Sequence, residues 1–298
     1  MKKVLIAILA VVALASCQQE DAPQGVKYPI LFGSTDTRAV ADLADLKDNG
    51  FKVYAYFQGT AEGTGSSTFE KKVTYSEDNK VWTYEGLEYW LPGVNYYFKA
   101  FYPAQLTAGT LAVNNGSSTQ SFTITNFDIT KQEDVMVAEA TALVPNGATC
   151  PTGGSVVNLD FQHLLACVVI ELKSDIDDVM VERVTLQEVS DRETCNAGSW
   201  SSSSNQTASL YYEEDTALTE ELKDITGGGF LVIPEQRDIT LIIETTQKDY
   251  EVELSIHWLP GKKYTYTAEI KQNDIVFADA PGVAVWDSES ATGSVIIK

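Results

Sequence analysis

The chain has 298 residues, 42 Asp and Glu against 21 Lys and Arg, and a formal net charge of −21. Such a surface repels phosphate backbones and anionic lipid, which excludes nucleic acid as a partner and membrane binding by charge. The length suggests two domains, each large enough for its own core; the 14 Tyr, 11 Phe and 5 Trp, many alternating with Thr, Ser or charged residues, make the class all-β.

Lys2 and Lys3 precede an apolar run over residues 4–15, the order of a secretory signal peptide. That run is shorter than the roughly 20 apolar residues a bilayer span needs. It ends in Leu14-Ala15-Ser16-Cys17, a lipobox, so residues 1–16 are expected to be removed and Cys17 to carry lipid that holds the chain at the outer membrane. A polar tether follows over residues 18–25. Val26, Tyr28, Ile30 and Phe32 then share one face of an expected strand, with Pro29 restricting it to a sheet edge. Residues 33–38 read as an exposed linker whose one basic residue is Arg38, next to Ala39.

Val40, Leu43 and either Leu46 or Lys47 have helical spacing, and Asn49-Gly50 offers a left-handed stop, so one or two turns are expected. Strands are expected at 51–57, 71–75, 81–84 and 96–102, joined by turn-rich links. Without a long helix between them, a parallel βαβ sheet is excluded on pattern. Segments 121–127 and 134–138 complete an N-terminal sandwich over 39–150, and the Pro- and Gly-rich stretch 144–154 reads as the connection to a C-terminal sandwich over 151–298. There Val157, Leu159 and Phe161 alternate, and 164–172 is apolar on both faces, as in a central strand. Further strands are expected at 182–187, 230–233, 239–245, 250–256 and 264–270, with a serine-rich loop at 196–206.

Several short stretches, weak singly, resemble one family in their order. They are the lipobox, the first strand, Thr37-Arg38-Ala39, Phe51-Lys52-Val53-Tyr54-Ala55-Tyr56, Tyr97-Phe98-Lys99-Ala100-Phe101-Tyr102-Pro103, Asp134-Val135-Met136-Val137-Ala138, Phe161-Gln162-His163-Leu164-Leu165-Ala166, and Trp258-Leu259-Pro260-Gly261-Lys262-Lys263-Tyr264-Thr265-Tyr266. Together they resemble the fimbrillins, the type V pilins of two-membrane bacteria. The resemblance implies two tandem transthyretin-like antiparallel β-sandwiches, no enzymatic site, and cleavage after Arg38 that makes residues 17–38 a lipidated tether with a detachable first strand. It also implies partners that are copies of the chain itself or other pilin subunits. The free groove would take a donor strand, for which the C-terminus offers Val283 and Val285 in one segment and Val295 and Ile297 in another, separated by the polar residues 287–294. The alternatives are that 283–298 are edge strands of their own domain, that the chain is an accessory or tip subunit, or that it stays tethered and binds a glycan or a host or bacterial surface protein.

Catalytic and metal-binding patterns are weak, so no catalytic residue, cofactor or metal is expected. With Cys17 used, Cys150, Cys167 and Cys195 cannot all pair; a Cys150–Cys195 bridge stays open, and Cys167 reads as a buried small hydrophobe. The absence of C-x-x-C and the presence of only His163 and His257 argue against zinc. His163 reads as a packed, hydrogen-bonded residue, and no G-x-S-x-G occurs. Gly227-Gly228-Gly229 precedes a strand rather than a helix, and the acidic stretches 175–178 and 213–215 lack the pattern of a calcium loop. Trp82, Trp90, Trp258 and Trp286 are expected in the core or at interfaces.

Overall fold

The structure, a computed structural model, describes residues 27–34, 40–61, 65–201, 206–271, 274–278 and 280–286. In chain order the first strands are β1 (Leu31–Ser34), β2 (Phe51–Gly59), β3 (Ser66–Ser76), β4 (Val81–Thr83), β5 (Val94–Tyr102), β6 (Thr110–Val113), β7 (Phe122–Asp128) and β8 (Met136–Val144). Then come β9 (Val156–Leu159), β10 (Gln162–His163), β11 (Ala166–Ser174), β12 (Met180–Ser190), β13 (Arg192–Asn196), β14 (Ser199–Trp200) and β15 (Thr207–Tyr212). The remainder are β16 (Thr216–Ala217), β17 (Lys223–Asp224), β18 (Phe230–Val232), β19 (Gln236–Thr245), β20 (Tyr250–His257), β21 (Lys262–Lys271), β22 (Asp274–Phe277) and β23 (Gly282–Val285). The all-β expectation holds.

A helix, α1 (Val40–Asn49), separates β1 from β2 and is longer than the one or two turns expected. It stops at Gly50, whose φ is +67° and whose N–H donates to Leu46 O at 2.9 Å. A Cβ built there would lie 2.4 Å from Val73 O, so both the conformation and the space call for glycine.

Strands β10-β8-β5-β2-β3-β4 form a sheet that is antiparallel throughout. Alternation turns Phe51, Val53 and Ala55 of β2 and Tyr96, Phe98, Ala100 and Tyr102 of β5 into a first core. The other face of β5 is covered as well: Phe101 meets Phe122 of β7 edge-on at 4.9 Å, and buried Lys99 pairs with Glu139 at 2.9 Å. Burial on both faces is why the pattern of β5 loses its period towards the strand's end.

The second core lies between two further sheets, β17-β11-β21-β22 with β18 and β23, and β15-β12-β19-β20 with β16. Val168, Ile170 and Leu172 face it from the first; Val184, Leu186, Leu241 and Ile243 face it from the second. Strand β11 lies between β21 and the pair β17/β18, the central position its apolar run predicted. Packing crosses the chain's midpoint in both directions. Val157, Leu159 and Phe161 belong to the first core, while Ala108, Phe122, Ile124, Phe127, Ile129 and Val135 belong to the second. The hairpin β6–β7 accordingly pairs with β13–β14 in a four-stranded sheet.

Among the described residues two pairings depart from an antiparallel reading: β1 runs parallel to β9, and β11 runs parallel to β21. Their members are far apart in the chain, so a long connection that runs through many other strands can return the second strand in the same direction. The absence of a crossover helix excludes the βαβ unit only. The start of the expected serine-rich loop is ordered into a hairpin instead, because Ala197 and Gly198 (φ 47° and 87°) turn β13 tightly into β14; residues 202–205 lie outside the described residues.

Candidate functional site

The first strand is inserted rather than laid on an edge. Pro29 bridges Tyr89 in a short antiparallel contact, with Ile30 N–H donating to Glu88 O at 2.8 Å and Trp90 N–H donating to Tyr28 O at 3.0 Å. Neither bond needs an N–H from residue 29, which is how proline is tolerated between neighbours. One residue on, the partner changes. Leu31 N–H donates to Ser155 O at 3.0 Å, and β1 continues alongside β9 with Leu31, Phe32, Gly33 and Ser34 opposite Val156, Val157, Asn158 and Leu159. Among the described residues β1 is the strand partner of β9.

The side chains follow the predicted alternation. Ile30 and Phe32 are buried in the first core and half-buried Tyr28 packs against it. Phe32 meets the ring of Tyr84 at 5.5 Å and that of Phe98, edge-on, at 5.7 Å. The Tyr84 hydroxyl donates to Ile30 O at 2.6 Å, and burial pushes that phenol up to about 12. On the far side Trp90 Nε1 donates to Ser155 O at 3.3 Å, joining the two walls. Burying Ile30 and Phe32 is worth about 1.5–3 kcal/mol each, an upper figure because the unfolded chain is itself partly collapsed. The walls, namely Tyr84, residues 88–90 and β9, were not legible as partners of this strand. Their aromatic and alternating residues announced burial but not which backbone they would flank.

Val26, Cys17, Arg38 and Ala39 lie outside the described residues, as do Val295 and Ile297. Arg38 and Ala39 belong to the segment 35–39 that joins the last residue of β1 to the first of α1. Val283 and Val285 are placed: β23 lies antiparallel on its own chain's β21, with Val283 opposite Tyr264 and Val285 opposite Lys262. This is the edge-strand alternative for that half of the C-terminal segment.

The remaining candidates are structural in their surroundings. His163 is buried, with Nδ1 2.7 Å from Asp134 Oδ2, and its ring stacks on Trp286 at 3.8 Å. Cys195 is a free thiol, so the Cys150–Cys195 bridge does not form; burial pushes its pKa up to about 11. Cys167 is buried as expected, with Sγ donating to Gly228 O at 3.6 Å. Trp90 and Trp258 are buried, and Trp82 packs on Phe51 at 4.9 Å. Glu213 pairs with Arg183 beside an open depression of about 710 Å³ whose lining is otherwise acidic. Among the described residues no group of three or more His, Cys, Asp or Glu is placed to hold a metal ion.

Comparison with known proteins places this geometry. A family model described as fimbrillin-like matches residues 37–285, and one for the prokaryotic membrane lipoprotein lipid attachment site matches residues 1–18. Among solved structures, a fimbrial protein from Bacteroides vulgatus is similar with a TM-score of 0.63 at 15% identity, covering 87% of this chain and 99% of that one. A protein described as a candidate cell adhesion protein from Bacteroides ovatus gives 0.54 at 15% identity over 89% and 99% of the two chains. Another so described, from Bacteroides uniformis, gives 0.50 at 17% identity over 89% and 100%. At these identities the likeness is one of fold. The search of curated proteins found no match.

Proposed function

We propose that this chain, which belongs to the fimbrillin-like family, is a structural, non-enzymatic subunit of a bacterial surface fimbria that mediates adhesion. It is exported as a lipoprotein on Cys17, held at the outer membrane, cut after Arg38 and joined to further copies or other pilin subunits by strand exchange. We read the two cores as tandem transthyretin-like sandwiches. The observation that carries the reading is the placement of β1. It fills a gap between residues 88–90 and β9, buries Ile30 and Phe32, and continues into the body of the protein through residues 35–39, where Arg38 lies.

Cutting there turns an internal strand into a removable one. Its departure would unpair the backbone N–H of Trp90, the carbonyl of Glu88 and the edge of β9, would leave Ser155 O with Trp90 Nε1 alone, and would empty the spaces of Ile30 and Phe32. Such an opening is adhesive until another strand enters. Val295 and Ile297 have the same two-residue spacing as Ile30 and Phe32, so one incoming strand can address both spaces by strand addition.

The test is to trim the purified precursor with an arginine-specific protease and follow it by electron microscopy and size-exclusion chromatography. Arg38→Ala and a chain lacking residues 295–298 are run beside it. Filaments from the trimmed wild type and none from either variant are expected. A trimmed protein that stays monomeric, or an Arg38→Ala chain that polymerises equally well, overturns the reading in favour of a permanently tethered surface lipoprotein.

A further inference from the structure

The C-terminal strand β23 is short for the work of holding a chain end. Four residues lie opposite residues 262–265, none of them buried, and Val285 is two-fifths exposed. Between β22 and β23 the ladder on β21 is interrupted, with Ala278 N–H donating to Thr267 O at 2.9 Å. A ladder of four residue pairs at a sheet edge frays unless something fastens it.

Trp286 supplies the fastening. Its N–H donates to Gly261 O at 2.9 Å, and its indole lies flat on the His163 imidazole, with centroids 3.8 Å apart and planes within 7°. The imidazole is itself held. Its Nδ1 is 2.7 Å from Asp134 Oδ2, Asp134 Oδ1 accepts the N–H of Val135 at 2.8 Å, and β10 pairs with β8 through His163 and Met136. The indole therefore rests on a buried ring that faces Asp134, and the end of the second half's edge strand is tied to the sheet of the first.

We propose that Trp286, stacked on the His163 that Asp134 braces, is a clasp that keeps residues 282–286 on their own subunit during assembly and confines exchange to residues 287–298. This rests on the strand-exchange reading above and sharpens it: of the two candidate donor segments it withdraws Val283 and Val285 and leaves Val295 and Ile297.

Two measurements decide it. In hydrogen exchange on the uncut chain, Trp286→Ala should speed exchange of the amides of residues 282–286 at least tenfold and leave β11 unchanged, and Trp286→Phe, which keeps a stackable ring, should recover most of the protection. Unchanged exchange in Trp286→Ala overturns the clasp. In the second, Lys262→Cys/Val285→Cys joins two directly opposite positions, whose backbones lie within disulfide reach, and locks β23 in place. After trimming, the oxidised double variant should form filaments to the wild-type extent. Filaments from its reduced form alone overturn the confinement and make β23 part of the exchanged segment, leaving strand exchange intact. Failure of the trimmed wild type itself overturns both.

Discussion

Phe32→Ala tests whether the first strand belongs to the core or merely lies upon it. The ring is 5% exposed and is held between Tyr84 at 5.5 Å and Phe98 at 5.7 Å, so its removal leaves a space in the first core. Phe→Ala changes in packed cores cost about 3–5 kcal/mol. The lower end applies here, because β1 is only four residues long and its walls can close inward: about 3 kcal/mol, roughly a hundredfold in the unfolding equilibrium. Urea denaturation of the uncut chain reads this directly, since Trp82 and Trp90 report on the first core by fluorescence. Lys27→Ala, at an exposed position of the same segment, is the control and should leave the midpoint unmoved. A loss below about 1 kcal/mol in Phe32→Ala would refute the reasoning. The strand would then be a surface addition, and cutting after Arg38 would open no groove worth filling.

Growth with labelled palmitate should mark the wild type but not Cys17→Ala, because several acyl chains are needed for a durable anchor; label that survives the substitution removes the lipoprotein assignment. Gly50→Ala should cost more than about 1 kcal/mol by thermal or urea unfolding, since it forces a side chain into φ +67° and towards Val73 O; a neutral result would mean that the end of α1 rearranges freely. Burial raises the phenols of Tyr84, Tyr102 and Tyr266 to about 12 from 10.0. A folded-state pKa above the unfolded one means that the neutral form's contribution is intact below pH 10 and is lost as pH climbs from about 10 to 12. Urea midpoints should therefore fall across that window and fall less steeply in Tyr266→Phe; identical slopes in the two chains would contradict the assignment.

The sequence by itself determined what depends on neighbours along the chain. An apolar run before a small-residue cysteine motif announced the leader. Alternation put Ile30 and Phe32 on the inward face of a strand, and an apolar stretch at 164–172 announced a strand covered on both sides. Asn49-Gly50 marked the end of α1, because a left-handed residue is a local requirement. Which strand pairs with which was decided elsewhere. Backbone donors and acceptors are the same in every residue but proline, so nothing in β1 or β9 records that they lie parallel, and nothing around Tyr84 or Glu88 records that they flank residues 28–30. The hairpin β6–β7 carries an ordinary alternation, yet it joins the second core because the back of β5 presents Phe101 there. Val283 and Val285 likewise suit a donor strand and an edge strand equally well in sequence. Only the tertiary structure, by bringing Trp286 onto a histidine fixed from another sheet, settled where that segment rests in the single chain.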